Sequence, residues 1–259
     1  MTAPRKAHSD SVTPKSRMVE MDEIYGHRAR IGYASPPLLT EVFAYDFYRL
    51  APAGVTLALT TLAILDRNKD EVDRSYEISM QAARAMASSG VDLVVLGGVT
   101  INLSRGYANA DRMLADLTSE LGVKVTSSAA AQNKALTALG AKKLVIARPY
   151  PQLGDFNIGK YAGRAVLGTV AANTPFRDVA RLKRSVALDL GRQAIHAHPD
   201  ADTIMFPSPH WPVIDAIEPL EREFGVSVMS ALQAIVWHAL RLVGIDDRID
   251  GFGRLLREF

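Results

Sequence analysis

Short apolar segments alternate along this chain with longer segments whose apolar residues recur at helical spacing. The short segments are rich in Val, Ile and Leu and predict β-strands, whereas the longer ones, several of them closed by glycine, predict α-helices. One strand, at 91–96, has no polar alternation, which is typical of a parallel strand buried on both faces. Strands are predicted at 30–34, 55–59, 91–96, 123–126, 143–147, 203–206 and 226–229, and helices at 38–50, 71–89, 108–121, 130–139, from about 155, and at 178–197, 213–224 and 231–242.

The segments between these elements carry their own signals. The Ser-Pro-Pro sequence at 35–37 is predicted to end the first strand, because proline lacks an N–H donor and restricts the residue before it. A loop is predicted at 61–68 and a variable segment at 168–175.

The order of elements is repeated. The sequence DLVVLGGVTIN at 92–102 has a counterpart in DTIMFPSPHWPVIDAI at 202–217. The segments that follow, 122–140 and 225–244, also correspond, as do 30–37 and 143–151 upstream. Three matches in the same order indicate a duplication. The chain is therefore predicted to be an α/β protein with two pseudo-symmetric, doubly wound parallel-sheet halves, a duplicated flavodoxin-like fold.

This repeat also suggests how the chain is divided. Residues 1–28 are predicted to be a flexible, polar N-terminal tail. Residues 29–141 are predicted to form the first half, with its C-terminal helix packing on the other half, and residues 142–259 the second half.

Composition narrows the function classes. With a formal net charge of +2 and scattered basic residues, the 259-residue chain lacks the charge pattern of a nucleic-acid-binding protein. No apolar run is long enough for a membrane span, and the N-terminus lacks a signal peptide, so a cytoplasmic location is expected. The chain has no cysteine, which excludes disulfides, thiolate metal sites and thiol catalysis.

Nothing in the sequence predicts a cofactor or a metal. Neither a phosphate-binding GxxxxGK[ST] loop nor a GxGxxG after a strand is present, and His196 and His198 lack the partners of a metal site.

The candidate site lies where the predicted strands end, because ligands of parallel α/β sheets bind beyond the carboxyl ends of the strands. Small hydroxyl or glycine residues at helix N-termini occur there, and free backbone N–H groups at these termini favour anions. Any one of them is more simply a helix cap, but their convergence on one rim favours a carboxylate-sized ligand. The strand ends, most of which carry such residues, are Ser35, Gly98 to Asn102, Ser127, Ser128, Tyr150, Ser208 to His210 and Ser230.

Several motifs resemble one protein family. They are LGGVTINLSRG at 96–106, the segment 122–150, the sequence from Ser208 through VIDAIEPLEREFGVSV, and the closing GFGRL at 251–255. Together they resemble the arylmalonate decarboxylase and maleate isomerase branch of the aspartate/glutamate racemase superfamily. The resemblance implies a site in the seam between the two halves and carbanion chemistry next to a carboxylate.

The family's functional positions can be carried over residue by residue. The two positions that hold cysteine in the superfamily are Gly98 and Ser208 here, and the decarboxylase also has a glycine at the first. The resemblance implies that Val99, Thr100 and Tyr150 hold an enediolate, with Ser127 and Ser128 nearby and Pro36 in the first loop. Val99 departs from the family pattern, since it replaces a hydroxyl donor.

The missing thiols exclude two-base racemisation and thiolate addition by the family mechanism. Serine is far less acidic than a thiol, whose reference pKa is about 8.5, so Ser208 is a poor direct proton donor. His210, two residues further on, has a side chain suited to proton transfer near neutrality, although a structural histidine is the simpler interpretation. Tyr150 is a second candidate, and Glu41 in the first loop's helix is a candidate general base.

Three functions remain open from the sequence. The first is a cofactor-free lyase that forms an enolate from a small carboxylate and reprotonates it from His210, Tyr150 or a water on Ser208. The second is a hydrolase or isomerase that activates water with Glu41 or His210, and the third is a catalytically silent carboxylate-binding protein. The expected partner is a small-molecule carboxylate, with no nucleic acid, no membrane and a possible homo-oligomer. Trp211, Phe206 and Tyr33 suggest room for an aromatic group, although such residues more often belong to the core.

Overall fold

The computed structural model of the protein describes residues 24–37, 40–64, 69–151 and 162–259. Within these ranges the first half of the chain forms a four-stranded parallel sheet with the strand order β2-β1-β3-β4. Its strands are β1 (Ala29–Pro37), β2 (Val55–Ile64), β3 (Leu93–Leu96) and β4 (Lys124–Ser127).

The second half forms another parallel sheet of four strands, with the order β6-β5-β7-β8. Its strands are β5 (Lys143–Arg148), β6 (Ala165–Ala171), β7 (Thr203–Phe206) and β8 (Ser227–Ser230). The two strand orders are the same when the strands of each half are counted from its start, and both follow the 2-1-3-4 pattern of flavodoxin-like sheets. The predicted fold class is confirmed.

Helices connect the strands and cover the sheets. In the first half they are α1 (Glu41–Leu50), α2 (Lys69–Ser88), the short α3 (Val99–Asn102), α4 (Tyr107–Leu121) and α5 (Ser128–Ala138). In the second half a 3₁₀ helix (Phe176–Arg181) precedes α6 (Arg184–Ala197), α7 (Ile214–Phe224), α8 (Ala231–Leu242) and α9 (Arg254–Glu258). Among the described helices, none is long and apolar enough to span a membrane.

The two halves share one hydrophobic core. Every residue of β3 and of β7 is buried, as the lack of polar alternation predicts. The main apolar cluster includes residues of both sheets and of α8, which is buried over most of its length. α5 packs on α8, and small buried residues such as Ala131 and Ala135 on α5 leave room for the close approach of α8. The seam between the halves is therefore a packed interface that holds the strand ends of both sheets in fixed positions.

The predicted loop at 61–68 is wrong for residues 61–64, which form the end of β2. β1 also continues past its predicted end, because Ser35 pairs with Thr61 and Pro37 with Ile64 across a register shift. Leu62 and Ile64 are buried in a small apolar cluster with Val72, which explains why the strand extends. Residues 65–68 lie outside the described ranges.

The predicted variable segment at 168–175 is wrong for residues 168–171, which belong to β6. This edge strand is half-exposed, and its small residues conceal the alternation that marks a strand. Gly168 has a packing role, because a Cβ there would lie 1.9 Å from Nε2 of His198 at the end of α6.

The single helix predicted over 178–197 is also wrong. Leu182 and Lys183 have extended backbone dihedral angles, with ψ of 142° and 146°, and they separate the 3₁₀ helix from α6. The break changes the chain direction, so that Phe176 packs edge-on against Tyr150 at 5.8 Å while α6 lies against β5. Three predictions lie wholly or partly outside the described residues. They are the helix from about 155, the first two residues of the helix over 38–50, and most of the N-terminal tail (residues 1–23).

Candidate active site

The carboxyl ends of β1 and β3 form one side of the rim. The backbone N–H of Gly97 donates to the carbonyl of Ala34 at 2.9 Å, which joins the two strand ends. A Cβ on Gly97 would lie 2.4 Å from that carbonyl oxygen and 2.7 Å from Cδ of the buried Pro36, so only glycine fits here. Gly98 has a φ of 80° and is the residue before α3. The two glycines thus let the chain turn tightly above β1.

The short helix α3 was not predicted, and it begins with two of the candidate residues, the half-buried Val99 and Thr100. The buried side chain of Asn102 holds this turn, because its Nδ2 donates to the carbonyl of Gly97 at 3.2 Å. Its Oδ1 accepts from the backbone N–H of Ala129 at 3.4 Å. Sequence reasoning missed this role, and its only signal was the position of Asn102 at the end of the repeated segment.

Both candidate serines at the start of α5 are buried and already act as hydrogen-bond acceptors. Oγ of Ser127 accepts from the backbone N–H of Ala130 at 3.1 Å and caps the helix. Oγ of Ser128 accepts from Nε2 of Gln132 at 3.1 Å. Each hydroxyl still has its proton to donate, so the capping role and a role in binding an anion are compatible.

The loop after β7 forms the facing side of the rim. Prolines at 207, 209 and 212 supply no backbone N–H, so the N–H donors of residues 207–212 are those of Ser208, His210 and Trp211. Ser208 is buried, and its Oγ has no hydrogen-bond partner among the described residues. Trp211 is also buried and packs edge-on against Phe206 at 5.8 Å.

His210 lies at the seam. Its ring centroid is 6.3 Å from that of Tyr33 and 6.0 Å from that of Phe43, so this second-half residue contacts β1 and α1 of the first half. The side chain is buried, and within the described part of the chain neither ring nitrogen has a hydrogen-bond partner. Burial lowers the pKa of His210 from 6.5 to about 3. The imidazole is therefore neutral at physiological pH unless a negative charge binds beside it.

Two tyrosines complete the buried region. Tyr33 is fully buried, and its ring stacks on Phe43 with a centroid distance of 3.9 Å. Burial raises the pKa of Tyr33, and electrostatic interaction with Tyr150 raises it further. Tyr150 is half-buried and follows the end of β5. By contrast, the Glu41 side chain is exposed at the start of α1.

Known proteins share this fold. Residues 31–256 match the arylmalonate decarboxylase family. This chain belongs to that family. Arylmalonate decarboxylase from Bordetella bronchiseptica is 27% identical over 233 residues, which cover 88% of this chain and 96% of the relative. Maleate isomerase from Geobacillus stearothermophilus is 21% identical over 210 residues, covering 78% and 83% of the two chains.

Solved structures of arylmalonate decarboxylase support the same conclusion. A crystal structure of the enzyme has a TM-score of 0.75 and 27% identity, covering 88% of this chain and 98% of that one. A liganded double mutant reaches a TM-score of 0.79 with 26% identity and covers 89% and 100% of the two chains. The chain thus belongs to a family of enzymes. Unlike a thiol-dependent enzyme, it has no cysteine.

Replacing Gly97 with Ala is expected to destabilise this family member by about 2 kcal/mol or more, because the new Cβ would overlap the carbonyl oxygen of Ala34, which is backbone and cannot rotate away. Urea unfolding at pH 7 measures the change. Gly140→Ala is the comparison: its φ of 68° strains an alanine at a cost of about 1 kcal/mol, but no atom lies within 4 Å of the added Cβ, so it should lose less stability than Gly97→Ala. The explanation fails if the two variants lose equal stability.

Proposed function

We propose that this protein is a cofactor-free decarboxylase of small malonate-type dicarboxylates, which forms an enolate and reprotonates it without a thiol. Family membership and a chain without cysteine support both parts of the proposal. The observation that carries it is a group of buried polar atoms at the seam without partners in the described chain: the Tyr33 hydroxyl, the Ser208 hydroxyl and both His210 ring nitrogens. Such atoms usually have a partner, and a carboxylate would supply one.

The retained carboxylate is held at the first-half rim. In this proposal the retained carboxylate accepts hydrogen bonds from Thr100 and from the backbone N–H groups of the turn at Gly98. The Tyr150 phenol donates to the same carboxylate from the second half. The hydroxyls of Ser127 and Ser128 at the start of α5 add two further donors, each of which already accepts one hydrogen bond. When the other carboxylate leaves as CO₂, the electron pair of the broken C–C bond stays on the α-carbon and spreads onto the two oxygens of the retained carboxylate. Fixed donors stabilise that charge as it develops.

The departing carboxylate faces apolar surface in this mechanism. Phe206 and the ring faces of Trp211 flank the Ser208 loop and solvate a carboxylate poorly, whereas the buried indole Nε1 of Trp211 is a donor without a partner among the described residues. Transfer of a carboxylate into such surroundings is unfavourable, whereas release of neutral CO₂ is not, so the apolar wall favours the products. No donor to the departing group is required.

His210 is the group we assign to proton return. In the free protein it is neutral, because burial lowers its pKa to about 3. A bound carboxylate about 4 Å away would contribute about 4 kcal/mol at an effective dielectric constant of about 20, enough to raise that pKa towards neutrality. Substrate binding would thus charge the imidazole by proton uptake from solvent. The imidazolium then gives its proton to the α-carbon, and the neutral ring is ready for the next substrate.

Incubation of the purified protein with malonate, methylmalonate, phenylmalonate and maleate tests the reaction class. We expect release of CO₂ and one equivalent of the monocarboxylate from at least one malonate, detected by a coupled CO₂ assay and by NMR of the product. Conversion of maleate to fumarate without CO₂ release would instead assign an isomerase. Ligand-induced stabilisation without turnover of any of these compounds would indicate a binding protein and contradict the decarboxylase proposal.

A further inference from the structure

The hydroxyl of Tyr33 is a buried polar group that the described part of the chain does not hydrogen-bond. Tyr33 lies in β1, near the carboxyl end of the first sheet, and its side chain has no exposed surface. Its Oη atom has no hydrogen-bond partner among the described residues. Because leaving a buried hydroxyl unpaired is costly, a residue that served packing alone would be expected to be phenylalanine.

The surrounding residues fix the direction of this hydroxyl. The ring stacks on Phe43 with an interplanar angle of 5°, which holds its plane. A Cβ on Gly97 would lie 2.9 Å from Oη, so the hydroxyl lies close against the glycine turn at the β1 and β3 rim. On the other side the ring lies 6.3 Å from that of His210. The hydroxyl is therefore held next to the rim turn and in the neighbourhood of the histidine.

We propose that the Tyr33 hydroxyl donates a hydrogen bond to a carboxylate oxygen of the bound ligand and works with Tyr150 as a second phenol donor. This inference rests on the proposed function for the identity of the ligand as a small dicarboxylate. Tyr33 lies in β1 and Tyr150 follows the end of β5, and these two strands each occupy the second position in their sheets. Together the two phenols would contact the ligand from both sides of the seam.

The electrostatic surroundings agree with a donor role. Burial raises the pKa of Tyr33, and the electrostatic interaction with Tyr150 acts in the same direction. The phenol therefore keeps its proton throughout the physiological pH range and can donate it to an anion. Such hydrogen bonds to charged acceptors are stronger than those between neutral groups.

The Tyr33→Phe variant tests the proposal, with Tyr45→Phe as the matched control because Tyr45 is exposed on α1. Calorimetric titration with malonate and phenylmalonate gives the Kd of each protein, and urea unfolding without ligand gives its stability. We expect Tyr33→Phe to raise the Kd about 10- to 100-fold, the effect of one hydrogen bond to a charged group, and Tyr45→Phe to leave it unchanged. Stability without ligand should stay equal or rise in Tyr33→Phe, because the lost hydroxyl was unpaired.

The remaining outcomes distinguish the proposed donor role of Tyr33 from the proposed decarboxylation. If Tyr33→Phe binds malonate like the wild type, or unfolds at lower urea concentration with unchanged affinity, the donor role is overturned while decarboxylation can stand. If malonates bind in a Tyr33-dependent way but are not decarboxylated, the donor role stands and the proposed reaction fails. If neither dicarboxylate binds the wild-type protein, both are overturned.

Discussion

Replacing His210 with Gln is expected to lower kcat for malonate decarboxylation by about 10²- to 10⁴-fold, the range associated with loss of a general acid. Gln is similar in size and retains hydrogen-bonding capacity but cannot carry a proton to carbon. The Kd for the substrate should change much less than kcat, because the proposed carboxylate donors Thr100, Tyr150 and Tyr33 remain in place. Steady-state kinetics with the best malonate substrate, combined with calorimetric titration, separates the two effects.

The matched control is His238→Gln. This histidine is half-buried, and burial lowers its pKa to about 4, but it lies about two turns beyond the start of α8. It should therefore retain full turnover. Calorimetry in buffers of different ionisation enthalpy adds a second measure, since substrate binding should be accompanied by proton uptake in the wild type and in His238→Gln but not in His210→Gln. Equal turnover in the wild type and His210→Gln would exclude His210 as the donor and favour Tyr150 or a water on Ser208.

The second large effect concerns stability in acid. His210 has a pKa of about 3 in the folded protein against about 6.5 in the unfolded chain. The unfolded state therefore binds more protons between these values, and the free energy of unfolding falls as the pH is lowered from 6.5 towards 3. Between pH 7 and pH 4.5 this group alone should remove on the order of 2 to 3 kcal/mol.

Urea unfolding of the wild type and His210→Gln at pH 7 and pH 4.5 checks this expectation. The variant should lose less stability on acidification, by that amount, because Gln does not titrate. His196→Gln serves as the control, since His196 is exposed and packs only its ring edge against Phe224. Its loss of stability should match that of the wild type. Parallel losses in His210→Gln and the wild type would show that His210 is solvated and freely protonated.

The sequence was sufficient for the fold because the signals that determine it are local and repeated. The apolar runs at 91–96 and 203–206 predicted β3 and β7, whose residues are all buried. The glycine-closed helical segments between the strands indicated that strands and helices alternate. Edge elements were harder to predict. β6 is half-exposed and built from small residues, so neither alternation nor hydrophobicity marked it.

The candidate site could be predicted only in part. Positions at strand ends identified the Ser208 and Gly98 loops, because every parallel strand points its carboxyl end at the same rim. Which side chains would be buried without partners depends on packing across the seam, and no local pattern encodes that. From the sequence, Tyr33 is simply a core aromatic residue and Asn102 a loop residue. The structure shows the Tyr33 hydroxyl next to Gly97, and Asn102 hydrogen-bonded to Gly97 and Ala129. The roles of the predicted site residues remain predictions that the variants above test.

The most direct test of the central claim is decarboxylation of methylphenylmalonate in deuterated buffer, followed by proton NMR and chiral chromatography of the product. This substrate has no α-hydrogen, so every hydrogen at the α-carbon of the product must come from the proton-return step. A cysteine-free enzyme that reprotonates an enolate from a fixed group predicts 2-phenylpropionate with one deuterium at the α-carbon and an excess of one enantiomer. Failure to release CO₂ from this or any other malonate that binds, or a racemic product, would contradict the account.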